Sequence, residues 1–456
     1  MSEQRQSDLV DGGEPERKQR RAVALDLVNA ALAAVDPAAA IKRFLRVDGN
    51  TLVVADRAYD LRKYRRLIVV GAGKAGAPMA QAVEDVLGDR VTAGLVNVKY
   101  GYIVPTRTIE LNQAGHPIPD EKGVAGARRM AQMVREATED DLVIALISGG
   151  GSSLMVLPSD GTTLNDKRRL TDSLLRSGAT INEINAVRKH LSQVKGGSLA
   201  RLAAPADVIT LMLSDVVGSP LDVIASGPTV PDTSTFQDAW RVIADHDLVD
   251  DLPKGIADRL QAGLRGEIEE TPKPGDPIFA HCQNVVIASN EIAAKAVLEQ
   301  ASQDGLSTCL LSTFVEGEAR EVARVVAGIA REIAYSGNPV HRPACVVLGG
   351  ETTVTVRGHG LGGRNQELAL AAAIAIDGLR GAMIVTLATD GSDGPTDAAG
   401  AIVTGETYRT ACQRGLDPHR FLVDNDSHHF FQQLGDLLVT GPTNTNVNDL
   451  TFVLVF

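Results

Sequence analysis

Two glycine-rich loops carry the residue types best suited to holding an anion. Gly71-Ala-Gly-Lys-Ala-Gly76 follows the apolar run Arg66–Val70, and Ser148-Gly-Gly-Gly-Ser-Ser153 follows Asp141–Ile147. Glycine lets backbone approach a ligand closely, and a helix start presents free N–H groups with partial positive charge. In the first loop Gly71 and Gly73 shape the turn, and Lys74 is a point charge suited to a phosphoryl group. In the second, Ser148, Gly149, Gly150, Gly151, Ser152 and Ser153 combine three hydroxyls with a backbone nest for an anion. The plainer readings are a solvated surface lysine and a structural turn.

Further cations and acids sit in similar places. Gly362-Gly-Arg-Asn-Gln-Glu367 precedes an Ala/Leu helix, so Arg364 lies near its start with Asn365 beside it. Arginine offers a two-pronged donor for carboxylate or phosphate. Arg188, Lys189 and Lys195 neighbour glycine and fit either an acidic substrate or surface ion pairs. Asp215 and Glu351 end apolar runs, while Asp390, Asp393 and Asp397 crowd one loop. Hard oxygen ligands there suit Mg²⁺, which takes one or two carboxylates plus substrate phosphates. Each acid fits a helix or turn cap equally well. Arg188, Lys195, Glu351 and Asn365 are the substrate-binding candidates; Asp215, Asp390 and Asp393 are the metal candidates.

Several chemistries are excluded. The first loop fits the dinucleotide fingerprint, but residues 91–101 contain no acid to hold ribose hydroxyls. Neither the P-loop pattern nor the hydrolase elbow G-x-S-x-G occurs. Four scattered cysteines without C-x-x-C spacing suggest neither zinc nor disulfides. Lys and Arg number 45 against 57 Asp and Glu, a formal charge of −12. That balance, with only 4% aromatic residues, argues against nucleic acid and anionic membranes as partners.

The loops require rigid elements around them. Near-continuous Val/Ile/Leu runs at 66–70, 141–147 and 207–213 predict strands covered on both faces, as in doubly wound, mostly parallel sheets. The order strand, glycine loop, helix, strand is the grammar of a parallel α/β sheet. It restarts at Asn284–Ala288, Ala344–Leu348, Ala382–Ala388 and Asp436–Thr440. Helical periodicity runs from Ala22 past Pro37 to Leu45. At 456 residues two domains are expected, 22–265 and a smaller α/β domain at 280–456, after a disordered polar tail at 1–21. No apolar stretch approaches the ~20 residues of a membrane helix, and no secretory signal opens the chain, so a cytoplasmic protein is expected. Self-association into a homo-oligomer is left open.

Eight segments in this order resemble the glycerate 2-kinase family, whose C-terminal part is known as the MOFRL domain. They are GAGKAG, SGGGSSL, INAVRKHLSQVKGG, SDVVGSPLDVIASGPT, GGETTV, GGRNQE, ATDGSDGPTDAAG and TGPTNTNVND, spread over about residues 22 to 456. The resemblance implies two α/β domains, the first Rossmann-like, with the active site in the cleft between them. It implies transfer of phosphate from ATP, with Mg²⁺, to the 2-hydroxyl of D-glycerate, and points to Lys74 and Arg364 as catalytic. Members of the family are often labelled hydroxypyruvate reductases, so an NAD(P)H-dependent reductase is the rival enzyme. A sugar-acid sensor without catalysis is the third reading.

Overall fold

Strands buried on both faces need partners on both edges, and the three longest Val/Ile/Leu runs supply them for one another. In the computed structural model, which describes residues 14–456, they are adjacent and parallel. The chain forms two compact units, Pro37–Ile287, and Ala288–Phe456 together with the N-terminal segment through Asp36.

The Pro37–Ile287 unit opens with a small antiparallel sheet of β1 (Leu45–Asp48), β2 (Thr51–Val54) and β3 (Arg57–Asp60). Its main sheet contains β4 (Arg66–Ala72), β5 (Val91–Lys99), β6 (Ile109–Ala114), β7 (Asp141–Ile147), β8 (Asp207–Leu213) and β9 (Cys282–Ala288). The order is β6-β5-β4-β7-β8-β9. Strands β4 to β8 pair in parallel, which is the doubly wound arrangement expected. Strand β9 corrects the expected boundary: its residues close this sheet rather than open the second domain. A separate apolar cluster joins the helices Leu164–Arg176, Ile181–His190, Phe236–Asp245 and Lys254–Leu264 through Leu170, Ile184, Phe236 and Leu260.

The other unit holds β10 (Ser307–Glu318), β11 (Ala344–Thr353), β12 (Ala382–Ala388), β13 (Gly400–Thr404), β14 (Leu437–Leu438) and β15 (Asp449–Val455). The order is β10-β11-β15-β12-β13-β14. Only β10 and β11 are parallel; every other pairing is antiparallel, so the parallel grammar of the first half does not carry over. The reason is β15, whose seven buried residues insert between β11 and β12.

The helix Glu14–Ala34 belongs to this unit and packs on the helix Asn290–Gln303. Residues 14–21 are therefore helix, not the expected disordered tail; residues 1–13 lie outside the described residues. Arg17 pairs with Glu406 at 2.9 Å and Arg21 with Asp436 at 3.3 Å, holding the polar first turns in place. Ala24, Leu27, Val28, Ala31 and Val35 form the buried stripe. No single helix among the described residues is long and apolar enough to cross a membrane.

Leu27 is fully buried on that stripe whereas Leu25 is 38% exposed. Leu27→Ala is expected to lower unfolding free energy by about 2–5 kcal/mol. Leu25→Ala should stay within about 0.5 kcal/mol. Urea titration of both variants checks the contrast; equal losses would mean the helix is not docked by this face.

Candidate active site

Strand β4 is where the main sheet changes direction of winding, since β5 and β6 lie to one side and β7, β8 and β9 to the other. Ligands of such sheets bind beyond the carboxyl ends of the strands at that switch point. Both glycine loops are there. Ala72 and Ile147 are register partners, so the two chains leave the sheet side by side. They are then stitched together: Lys74 N–H donates to Gly149 O at 2.9 Å, and Ala75 N–H to Ser148 Oγ at 3.1 Å. Gly73 has φ +151°, and a Cβ there would collide with Ser148 Oγ, so only glycine permits the approach. Lys74 begins the turn into the helix Gly76–Leu87 and is half-buried. Its ammonium has no hydrogen bond or ion pair with any described residue.

Beside the second loop lies a cavity of about 590 Å³, bounded by Gly150, Ser152 and Ser153 on one side and by Lys167, Arg188 and Lys195 on another. Lys195 is 1% exposed and donates only to the Ala225 carbonyl, at 3.3 Å. Lys167, on the helix Leu164–Arg176, is also buried and donates to the Leu191 carbonyl at 2.8 Å. The Arg188 guanidinium has no partner among the described residues. Among the described residues no carboxylate neutralises any of the three; Asp172, which also borders the cavity, pairs with Arg176 at 2.9 Å. Uncompensated buried charge is costly, and the lysines respond to it. Burial, then the neighbouring Arg188 and Arg259, brings Lys167 down to about 7. Burial, then Lys167 and Arg188, holds Lys195 well below the usual lysine range. Lys189, adjacent in sequence to Arg188, pairs instead with Asp232 at 3.2 Å and Asp222 at 3.3 Å. Of the three candidates Arg188, Lys189 and Lys195, Lys189 is thus an ion pair.

Two cavity residues carried no sequence signal. Lys167 reads as one more polar position in a charged helix. His116 follows β6, and its ring lies against the second loop, so that a Cβ at Gly150 would sit 2.7 Å from its Cδ2. Neither ring nitrogen has a partner among the described residues. Burial, then Lys74 and Lys99, pushes this histidine down to about 4. Ser153 Oγ is used within the loop, donating to Gly150 O at 3.0 Å, and Ser152 Oγ lies 3.2 Å from Ser226 Oγ.

The acids separate as cleanly. Asp215 presses its carboxylate against Gly149 of the second loop, where a Cβ would strike it. Asp393, expected as a metal ligand, is buried and accepts the N–H of Asn365 at 3.0 Å and of Gln366 at 2.8 Å. It caps the helix Arg364–Ala375 with both oxygens. The buried Asn365 side chain donates to the same carboxylate at 3.3 Å. Asp390 accepts the Ser392 N–H at 3.1 Å, the ordinary role of a turn aspartate. Among the described residues no three His, Cys, Asp or Glu side chains are grouped to hold a metal.

Arg364 opens its helix as expected but does not stand alone. Its Nε donates to Asp449 Oδ2 at 2.5 Å and its Nη2 to Asp449 Oδ1 at 3.2 Å, while Nη1 donates to Glu351 Oε1 at 2.6 Å. Glu351, a substrate candidate, is thereby a guanidinium partner. Burial pushes Asp449 up to about 6 even with Arg364 beside it. The side chain of Arg364 remains 32% exposed. A smaller cavity of this unit, about 230 Å³ and bordered by Arg17 and Arg21, has those cations paired with acids.

Residues 23–261 match the family described as a domain of unknown function (DUF4147), and residues 344–449 match the MOFRL family. The glycerate 2-kinase of Pyrococcus horikoshii is 43% identical over 95% of this chain and 97% of its own length. The chain belongs to the glycerate 2-kinase family. A crystal structure of glycerate kinase from Thermotoga maritima aligns with a TM-score of 0.87 at 40% identity, covering 96% of this chain and 100% of that one. A relative from Agrobacterium vitis, 45% identical over 86% of this chain and 87% of its own, carries a provisional hydroxypyruvate reductase name. In this member of the glycerate 2-kinase family, then, the unpaired cations concentrate in one unit and the paired Arg364 in the other.

Replacing a buried, unpaired ammonium with an apolar chain of similar length removes a cost, so Lys195→Met should stabilise the fold. Thermal melting is expected to rise by several degrees, and a fall would show that the bond to Ala225 O outweighs the burial cost.

Proposed function

We propose that this chain phosphorylates D-glycerate at its 2-hydroxyl, converting ATP to ADP and yielding 2-phosphoglycerate. The observation that carries the reading is the cavity with three enclosed cations and no compensating acid, opening beside the unpaired Lys74 and the stitched loops. A small hydroxy acid brings the missing negative charge, and the loop amides suit phosphate oxygens. The relative named glycerate 2-kinase supports the same reaction. The reductase reading is weaker, because β5 ends at Lys99 without an acid to hold a nicotinamide ribose.

In this reading Lys167, Arg188 and Lys195 bind the carboxylate and orient the hydroxyls. Lys74 and the amides of Gly149 and Gly150 receive the transferring phosphoryl group. Phosphoryl transfer depends on positioning and charge neutralisation, so fixed cations act chiefly on the transition state. The family resemblance makes Arg364, its fork set by Asp449 and Glu351, the second catalytic candidate. Mg²⁺ fits Asp215, a carboxylate at the phosphate loop whose other ligands would be phosphate oxygens, and it neutralises phosphate charge when bound. Four free cysteines suit the cytoplasm, where the ATP is.

Phosphorus NMR of a reaction with ATP, Mg²⁺ and D-glycerate should show 2-phosphoglycerate. The 3-phosphate would refute the regiochemistry, and NADH oxidation by hydroxypyruvate without ADP formation would reassign the enzyme. Lys74→Ala and Arg364→Ala are each expected to lower kcat by at least about 100-fold. Arg364→Lys should recover only part, since an ammonium keeps the charge and loses the fork. Lys74→Ala should leave the melting temperature unchanged, whereas Arg364→Ala should lower it by stranding the buried Asp449.

A pH dependence follows from Lys167. Its free-state value of about 7 lies below that of an ordinary lysine, and a bound anion favours the charged form. The complex therefore holds more protons than the free enzyme, so glycerate binding takes up protons and weakens as pH rises above about 7. Calorimetry in buffers of different ionisation heat measures the uptake; zero uptake at pH 8 would remove Lys167 from the anion site.

A further inference from the structure

We propose that His116 is a further catalytic residue, the acceptor of the hydroxyl proton when glycerate attacks the phosphoryl group; this rests on the kinase reading above. The ring borders the same cavity as Lys167, Arg188 and Lys195, and it lies against Gly150 of the phosphate loop. A substrate anchored by those cations and reacting at that loop brings its hydroxyl to the imidazole. The nitrogens are uncommitted: no described residue gives either a donor or an acceptor. The acids first suited to the task are engaged elsewhere. Asp393 caps a helix with both oxygens, and Asp390 accepts a turn amide. Asp215 lies at the loop where a cation would be bound.

The step balances without another reactant. The glycerate 2-oxygen forms a bond to the γ-phosphorus of ATP as the bridging β–γ P–O bond breaks, its electron pair leaving on ADP. The hydroxyl proton passes to the imidazole, which becomes imidazolium and then releases it to water. Burial, then Lys74 and Lys99, keeps the free imidazole neutral and ready to accept. Substrate and phosphate anions beside Lys74 offset that positive field and raise the basicity of the ring when the proton must move. In a loose transition state the nucleophile keeps its proton until late, so a weak base in contact suffices.

His116→Gln keeps a hydrogen-bond acceptor but cannot carry the proton, and His116→Ala removes both. General-base loss costs on the order of 100-fold or more in turnover. Both variants are therefore expected to lose at least about 100-fold in kcat while their Kd for D-glycerate, by calorimetry, stays within threefold and their melting temperatures match the parent. A kcat within fivefold of the parent in His116→Gln overturns the proposal, as does a raised Kd with kcat retained, which would make the ring a binding group. Failure of the parent enzyme to form any phosphorylated glycerate would overturn the kinase reading itself and His116 with it.

Discussion

The approach of the loops after β4 and β7 to backbone contact is the constraint on which the rest of the candidate site depends. Two chains leaving neighbouring parallel strands would ordinarily be held apart by side chains. Here Gly71 and Gly73 remove the obstacle, and the Lys74 amide meets the Gly149 carbonyl at 2.9 Å. Asn97, at the end of β5, braces the arrangement by donating to Gly123 O at 3.0 Å and Leu154 O at 2.7 Å. With the loops fixed, the direction of the Lys74 side chain and the wall of the cavity are fixed too. A buried polar network of this kind is stable only because each member is satisfied.

Charge is treated in opposite ways in the two units. In the Pro37–Ile287 unit Lys189 is compensated by Asp232 and Asp222. The cavity trio has no carboxylate partner among the described residues, and under the proposed function that deficit is what an anion would fill. Arg364 has the reverse problem, with two acids for one guanidinium. Asp449 fixes its orientation through a two-pronged contact, the geometry that distinguishes arginine from lysine. The first arrangement favours capture of charge, the second rigidity of a donor.

Local chemistry was the most legible part of the chain. The strands before the glycine loops, the loops themselves, Lys74 and the helix start at Arg364 all announce themselves through neighbouring residues. What depends on distant partners did not. Asp393 sits among glycines like a metal ligand, yet the amide it caps is 28 positions away. Lys167 and Lys195 look solvated until the helical cluster closes over them. Strand β15 has an apolar pattern as clear as any, but that it separates β11 from β12 is decided by three-dimensional pairing, and this turns a parallel expectation into a mixed sheet. The residues at 14–21 are polar enough to read as tail, and their acidic partners at 406 and 436 lie far along the chain.

The membership of the helix Glu14–Ala34 in the unit completed by β15 has a consequence for synthesis on the ribosome. That helix emerges first, yet every strand it is folded with is made after the whole Pro37–Ile287 unit. At translation rates of roughly 5–20 residues per second, the wait is on the order of ten seconds or longer. During that time its stripe of Leu27, Val28 and Ala31 has no native cover, while the intervening unit is free to finish. The nascent chain thus carries an exposed apolar helix ahead of a folded body, the kind of segment that holding chaperones bind.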